Sequence, residues 1–243
     1  MIGVKTMFVR TGGCDYKCVM CDSMHAVDPK AIKQFAKRMP EEEIFRELLK
    51  AKHETGVEWV TLSGGNPCMW DLSYLIALCQ AAGIKVALET QGTQWKDWIR
   101  QCDQVTLSPK APGMGEKFEP EVFRAFINKL HGYKPKTCLK VVAFSQLDMD
   151  FALHIGEIAA WVVNPENFYL SIGNPYPPIL STDPQTGEIS FGDNPEFADI
   201  NQVSELLRRY KTLLEDFLQD RRFSTWKILP QLHVLLWGNE AGV

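Results

Sequence analysis

Short apolar runs rich in β-branched residues alternate along the chain with longer stretches of helical period. This is the pattern of successive βα units that build a largely parallel sheet. TMFVR, Thr6–Arg10, reads as the first strand. A basic stretch, PKAIKQFAKRM, and then PEEEIFRELLKAK follow, where Pro40 and three glutamates mark a helix start and Gly56 lies beyond its end. EWVTL is the next strand. The cycle repeats with helix Asp71–Ala82, strand IKVALE, a short helix near Trp95–Arg100, strand QVTLS, helix Glu121–Leu130, strand CLKVVAF, helix Leu147–Val162 and strand FYLSI. Strands recur roughly every 20 to 35 residues, a spacing that suits a barrel or an open parallel sheet.

From Gly173 to Pro195 the chain is dense in Pro, Gly, Asn and Asp, which predicts a long loop with a small hairpin around Thr186–Phe191, placed as a lid or an interface. A last helix over Phe197–Gln219 leads to WKILPQLHVLLWGN, read as a strand ending at Pro230 with an apolar tail. No internal repeat or low-complexity segment interrupts the pattern, and residues 1–243 read as a single domain.

The polar and glycine-bearing signals fall directly after strands: TGGC, then SGGNP (Ser63–Pro67), ETQGT (Glu89–Thr93), SPK (Ser108, Pro109, Lys110) and IGN (Ile172–Asn174). In a parallel α/β fold the carboxyl ends of the strands meet on one face, so these segments are expected to converge on a site.

Composition narrows the partners. The chain is 45% hydrophobic and 23% charged with a formal net charge of -4, which gives no field to draw in nucleic-acid phosphates or an anionic membrane. The four cations of Lys30–Arg38 read as a solvated helix face. No basic leader precedes an apolar segment, and no apolar run approaches the ~18 residues that would span a bilayer. The expectation is a soluble, cytoplasmic protein with a small-molecule partner. Of seven cysteines, Cys68, Cys79, Cys102 and Cys138 are scattered and read as buried thiols, while Cys14, Cys18 and Cys21 crowd into one loop.

Three thiolates on a tight loop can hold three irons of a cubane and leave the fourth iron for a substrate or cofactor. The competing arrangement is a Cys3His zinc site completed by His25, four residues after Cys21. A solvated histidine and the glycine-bearing segments at the other strand ends favour the cubane.

The spacing C-x3-C-x2-C in CDYKCVMC, directly after a strand, resembles the cluster motif of the radical S-adenosylmethionine superfamily. The resemblance implies a modified, incomplete TIM-like (β/α) barrel and a 4Fe-4S cluster. The cluster's open iron chelates S-adenosylmethionine and splits it to methionine and a 5′-deoxyadenosyl radical. Met20 matches a position that faces the adenine. SGGNP resembles the superfamily's second motif, in which Gly64 and Gly65 let the backbone approach the cofactor's amino group. Asn66 stands where many members have an acid.

FVRTGGCDYKCVMCDS, TLSGGNP, ALETQGT, LSPK and LPQLHVLLWG together resemble the 7-carboxy-7-deazaguanine synthases, and the likeness runs through nearly the whole chain. That family contracts the ring of 6-carboxy-5,6,7,8-tetrahydropterin and expels ammonia, giving the 7-deazapurine used for queuosine. The resemblance implies a magnesium-dependent homodimer fed by an electron donor such as flavodoxin or ferredoxin. It places Arg10 and Thr90 on the substrate, with Arg10 forking onto its carboxylate, and Gln231 and His233 near the pterin. It makes Ser23 a magnesium ligand. It assigns Asp22, Gly92, Ser108, Pro109, Lys110, Ser171, Gly173 and Asn174 to the S-adenosylmethionine site.

That family begins with a further segment carrying a Gln-Gly-Glu-Gly element that touches substrate, whereas this chain opens at MIGVKTMFVR. The expectation is either a start codon chosen too late, with Met1 internal, or a member without those contacts. Two rivals share features: a glycyl-radical activase has the same cysteine spacing, and a zinc-binding interaction module would use Cys14, Cys18, Cys21 and His25. An activase needs an open groove for a polypeptide, while ETQGT, QLHVLLWG and Arg10 read as a closed pocket for a small anion.

Overall fold

The computed structural model describes residues 3–133, 136–197 and 200–240. Seven parallel strands form one sheet: β1 (Thr6–Thr11), β2 (Trp59–Gly64), β3 (Lys85–Thr90), β4 (Gln104–Leu107), β5 (Lys136–Ala143), β6 (Phe168–Ile172) and, after an inserted hairpin of β7 (Ile179–Thr182) and β8 (Ile189–Gly192), β9 (Lys227–Leu229). The order β1-β2-β3-β4-β5-β6-β9 follows the chain, with β1 and β9 at the two edges of a partial barrel. Helices α1 (Pro29–Phe35), α2 (Glu41–Thr55), α3 (Ser73–Ala81), α4 (Pro120–Asn128), α5 (Gln146–Ala159), α6 (Gln202–Gln219) and α7 (Leu232–Trp237) complete the chain. None of the described helices is long and apolar enough to cross a membrane.

Strand alternation divides the sheet chemically. Val60, Leu62, Val86, Leu88, Val105, Leu107, Leu139, Val141, Leu170 and Ile172 are buried in one core with Leu75, Ile76, Phe123, Ile127, Met149 and Ile155 from the helices. The opposite face carries Thr61, Ser63, Glu89, Thr106, Ser108, Lys140 and Ser171. The parallel register keeps the two sets in line, with Arg10 beside Ser63, Leu62 beside Leu88, Thr106 beside Cys138 and Val142 beside Ser171. Most parallel sheets bury both faces in apolar residues. Here the inner face is polar, which leaves it fit to receive a polar ligand.

Some elements differ from those expected. The hairpin strands lie at Ile179–Thr182 and Ile189–Gly192, so the expected stretch Thr186–Phe191 holds the end of the turn and most of the second strand, and the first strand lies before it. The cause is Asp183, whose carboxylate accepts from Gln185 N at 2.7 Å and Thr186 N at 2.9 Å, making 183–187 the turn. The last long helix begins at Gln202 because Asn201 caps it, accepting from Ser204 N at 3.0 Å. Pro195–Phe197 is a separate 3-10 turn, and residues 198–199 lie outside the described residues. The apolar tail is helix α7, with Val234 buried and Leu232, Leu236 and Trp237 exposed.

The hairpin is fastened to α1. The Gln34 amide donates to Ile189 O at 2.6 Å and accepts from Ile189 N at 2.9 Å, completing the backbone pairing that an edge residue would otherwise lack. Leu139 lies at the centre of the sheet with no exposed surface. Leu139→Ala is expected to lower stability by about 2–5 kcal/mol, read as a fall in the urea midpoint with unchanged slope.

Candidate active site

The site begins where β1 ends. Gly65 N donates to Thr11 O at 3.0 Å, Asn66 N to Gly13 O at 2.8 Å and Gly13 N to Ala26 O at 2.8 Å. The cysteine loop is thereby stitched to the end of β2 and to its own return. A Cβ on Gly64 would stand 2.2 Å from Thr11 O and one on Gly65 2.0 Å from Gly13 O, and Gly64 also holds φ +132. The glycine pair is therefore demanded by the chain's own backbone crossing, before any cofactor approaches.

Asp15, between the first two cysteines, gathers side chains from two other strand ends. Its carboxylate accepts from Asn66 Nδ2 at 2.8 Å, Gln91 Nε2 at 2.5 Å, Thr93 Oγ1 and Gln94 Nε2. Asn66 is fully buried, and its Oδ1 accepts from Thr90 Oγ1 at 3.0 Å and Cys68 N at 3.2 Å. This explains the amide at position 66. An acid there would face the Asp15 carboxylate at hydrogen-bond distance, a like-charge contact in a buried setting.

The loop after β4 clasps the cysteine loop from the other side. Val19 N donates to Met114 O at 3.0 Å, and Lys17 N donates to Glu116. Asp148, fully buried at the start of α5, fixes that clasp by accepting from Gly113 N at 2.7 Å, Phe144 N at 2.8 Å and Ser145 Oγ at 3.1 Å.

Cys14, Cys18 and Cys21 are all free thiols. Burial pushes the Cys18 thiol up to about 12 and the Cys21 thiol to about 11, and it raises Cys14 as well. The Lys110 ammonium works against burial at all three, which places this lysine within the field of the whole triad. Backbone N–H groups already point at two of the sulfurs, from Tyr16 to Cys14 at 3.5 Å and from Ser23 to Cys21 at 3.4 Å. Among the described residues no three His, Cys, Asp or Glu side chains close on a single ion. His25 lies instead under the hairpin, its ring edge-on to Phe191 at 4.7 Å and its Nδ1 buried without a hydrogen-bond partner. With His25 packed on Phe191, the three free thiols suit three corners of an iron–sulfur cubane rather than a Cys3His zinc centre.

Beside the triad, Arg10 Nη1 donates to Ser23 Oγ at 2.8 Å, and Ser23 Oγ donates to Asp22 Oδ1 at 2.9 Å. His233 Nε2 is 3.7 Å from Asp22 Oδ2. Burial lowers the His233 pKa, and the Asp22 charge only partly offsets that. Further along the inner face Lys140 Nζ meets Glu89 Oε1 at 2.6 Å. Lys140 holds the Glu89 carboxyl below the usual range; burial would lower the Lys140 ammonium, but the charge and hydrogen bond of Glu89, together with the Asp22 charge, raise it on balance.

Thr90, Gly92, Ser108 and Pro109 are buried at the ends of β3 and β4, where Ser108 N donates to Thr90 O at 2.7 Å. Met20 and Lys110 are half-buried. Ser171, Gly173 and Asn174 are buried at the end of β6. Gln231, expected near a pterin, is committed to this segment: its Oε1 accepts from Asn174 N, while the Asn174 amide donates to Tyr176 O at 2.9 Å and Asn239 Oδ1 at 3.0 Å. Thr90, expected on substrate, spends its hydroxyl proton on Asn66.

A loop of three unpaired thiols at the head of a partial barrel, ringed by the other strand ends, together with the match of residues 8–133 to the family model of the Radical SAM superfamily, defines a radical S-adenosylmethionine enzyme. Members of that superfamily use a 4Fe-4S cluster and S-adenosylmethionine. The 7-carboxy-7-deazaguanine synthase of Bacillus cereus is 35% identical over all of this chain and 92% of its own length, and that of Bacillus subtilis is 36% identical with the same coverage. The chain belongs to the 7-carboxy-7-deazaguanine synthase family. Solved structures agree on the fold: QueE from Escherichia coli, 21% identical, superposes with a TM-score of 0.50 over 70% of this chain and 76% of its own. Streptococcus suis SuiB, 15% identical, gives 0.51 over 96% of this chain and 51% of its own.

The sequence reading missed Asp15, Gln91, Asp148 and the Glu89–Lys140 pair. Gln91 and Glu89 lie inside the quoted ETQGT and Asp15 inside CDYKC, but their partners are 51 to 79 residues away in the chain. The raised thiols predict that iodoacetamide labelling of Cys18 and Cys21 in metal-free protein accelerates about tenfold per pH unit from about pH 7 to 10, because only the thiolate reacts. Peptide mass mapping checks this, and loading with iron and sulfide should abolish the labelling.

Proposed function

We propose that this chain converts 6-carboxy-5,6,7,8-tetrahydropterin to 7-carboxy-7-deazaguanine with release of ammonia, using magnesium in addition to its cluster and S-adenosylmethionine. The observation that carries the reading is the Arg10–Ser23–Asp22 chain of hydrogen bonds beside the cysteine loop. It sets a guanidinium, a hydroxyl and a carboxylate directly beside the cysteine triad, where Ser23 N also donates to Cys21 Sγ. Family membership over the full chain supports it.

When bound, the cluster and S-adenosylmethionine supply a carbon-centred radical for hydrogen abstraction. The chain's residues place and shield the reacting groups. Arg10 presents a planar fork suited to the substrate carboxylate, and turning toward it would release the Ser23 hydroxyl. Ser23 would hold magnesium, with the Asp22 charge beside it and the remaining positions filled by water and substrate oxygens, and the ion would stabilise negative charge on the substrate. Lys110 and Ser108 would meet the methionine and carboxylate part of the cofactor. Gly64, Gly65 and Gly92 offer backbone, Met20 and Ser171–Asn174 would flank the adenosine, and Asp22 would border the ribose. Thr90 and His233 would meet the pterin, while Gln231 positions Asn174 from behind. The polar inner face would suit a heteroaromatic substrate bearing polar edges.

A low-potential one-electron carrier such as flavodoxin or ferredoxin would supply the electron. The exposed Leu232, Leu236 and Trp237 of α7 support a homodimer.

Anaerobic incubation of reconstituted protein with S-adenosylmethionine, dithionite, magnesium and the carboxylated tetrahydropterin should yield a deazapurine chromophore, and its absence would refute the reading. Arg10→Ala should lower kcat/KM by about tenfold to a hundredfold, the value of charge-assisted hydrogen bonds lost. Ser23→Ala should flatten the dependence of rate on magnesium concentration while the cluster content stays the same.

A further inference from the structure

We infer that Gln91 tunes the reduction potential of the cluster by aiming an amide N–H at the sulfur of Cys14, with Asp15 as the brace that fixes its aim. The inference rests on the cluster reading above. Gln91 Nε2 lies 3.5 Å from Cys14 Sγ and 2.5 Å from Asp15 Oδ1. A primary amide nitrogen has two protons, so each acceptor takes one. Asp15 cannot swing away with its glutamine, because Asn66, Thr93 and Gln94 hold the same carboxylate. Gln91 itself is only 4% exposed, so water does not compete for the bond. Among the described residues Cys14 is the one triad member whose sulfur receives a side-chain N–H as well as a backbone N–H.

Reduction of the cluster adds one electron from a low-potential one-electron donor and transfers no proton. The added charge is shared with the thiolate sulfurs, so an N–H directed at one of them stabilises the reduced state more than the oxidised state and raises the potential. Chemical reductant and protein carrier would both meet this threshold, since it belongs to the cluster and not to a docking surface. A purely structural glutamine would help retain the cluster and leave its potential alone.

The test is an EPR-monitored redox titration of anaerobically reconstituted wild type, Gln91→Met and Gln91→Leu, without S-adenosylmethionine. Iron and sulfide are counted in each sample. Both variants should hold as much iron and sulfide as wild type, and their reduced-to-oxidised ratio at a fixed solution potential should fall about tenfold. For one electron that is a downward shift of about 59 mV. Full cluster content with an unmoved potential overturns the inference. Loss of the cluster from a variant whose circular dichroism is native also overturns it, since Gln91 would then be a brace. A wild-type chain that takes up no iron and sulfide contradicts the cluster reading itself.

Discussion

A cubane held at three corners depends on a loop that cannot move, and in this protein backbone contact supplies that stiffness. The Gly64–Gly65 pair lies against Thr11 O and Gly13 O with no space for a single methyl group. The crossing ties the register of β1 on β2 to the position of Cys14. It also sets Arg10 level with Ser63 on the inner face, so that its guanidinium reaches back to Ser23 on the loop's far side. Fold and site are joined at this point. A side chain at either glycine would separate the strand pair or the loop, because neither backbone oxygen has room to retreat.

Around that crossing the charges are arranged with little left unpaired. Asp15 serves four donors, and its removal would strand amides buried at about 1–3 kcal/mol each. Asn66 relays between Asp15 and Thr90 and stays neutral because a second carboxylate there would repel the first. The Glu89–Lys140 pair sits partly enclosed on the inner face. A partly enclosed ion pair stabilises little against a well-packed apolar alternative, and its presence on the inner face reflects the polarity of that face more than a need for stability. Buried thiols that prefer their protons, opposed by one lysine, become good ligands only when a metal takes the thiolate.

The order and spacing of the strands were legible in the sequence because strand-period and helix-period runs alternate cleanly, and from the strand order followed the convergence of TGGC, SGGNP, ETQGT, SPK and IGN on one end of the sheet. The cysteine triad is legible in the sequence as a metal-ligand set one ligand short, and its resemblance to the radical S-adenosylmethionine cluster motif supplies the chemistry. Pairings between distant segments were not legible. Nothing local marks Asp15 as a partner of Gln91, or Asp148 as the anchor of Gly113, since such bonds exist only after the strands align. Gly64 and Gly65 were read as room for a cofactor, and the structure shows a closer occupant, the chain's own backbone. The family resemblance places Gln231 near a pterin, and in the structure its side-chain oxygen accepts from Asn174 N, a pairing that nothing local in the sequence marks. The hairpin was misplaced by a few residues because Asp183 makes a turn from a stretch whose composition looked uniform.

The central claim is that the triad presents a cluster with one open corner to S-adenosylmethionine. EPR of the dithionite-reduced, anaerobically reconstituted protein before and after addition of S-adenosylmethionine measures this directly. The account predicts a changed g-tensor as the cofactor ligates the open iron, with the spin per chain conserved. An identical spectrum at saturating cofactor would contradict it.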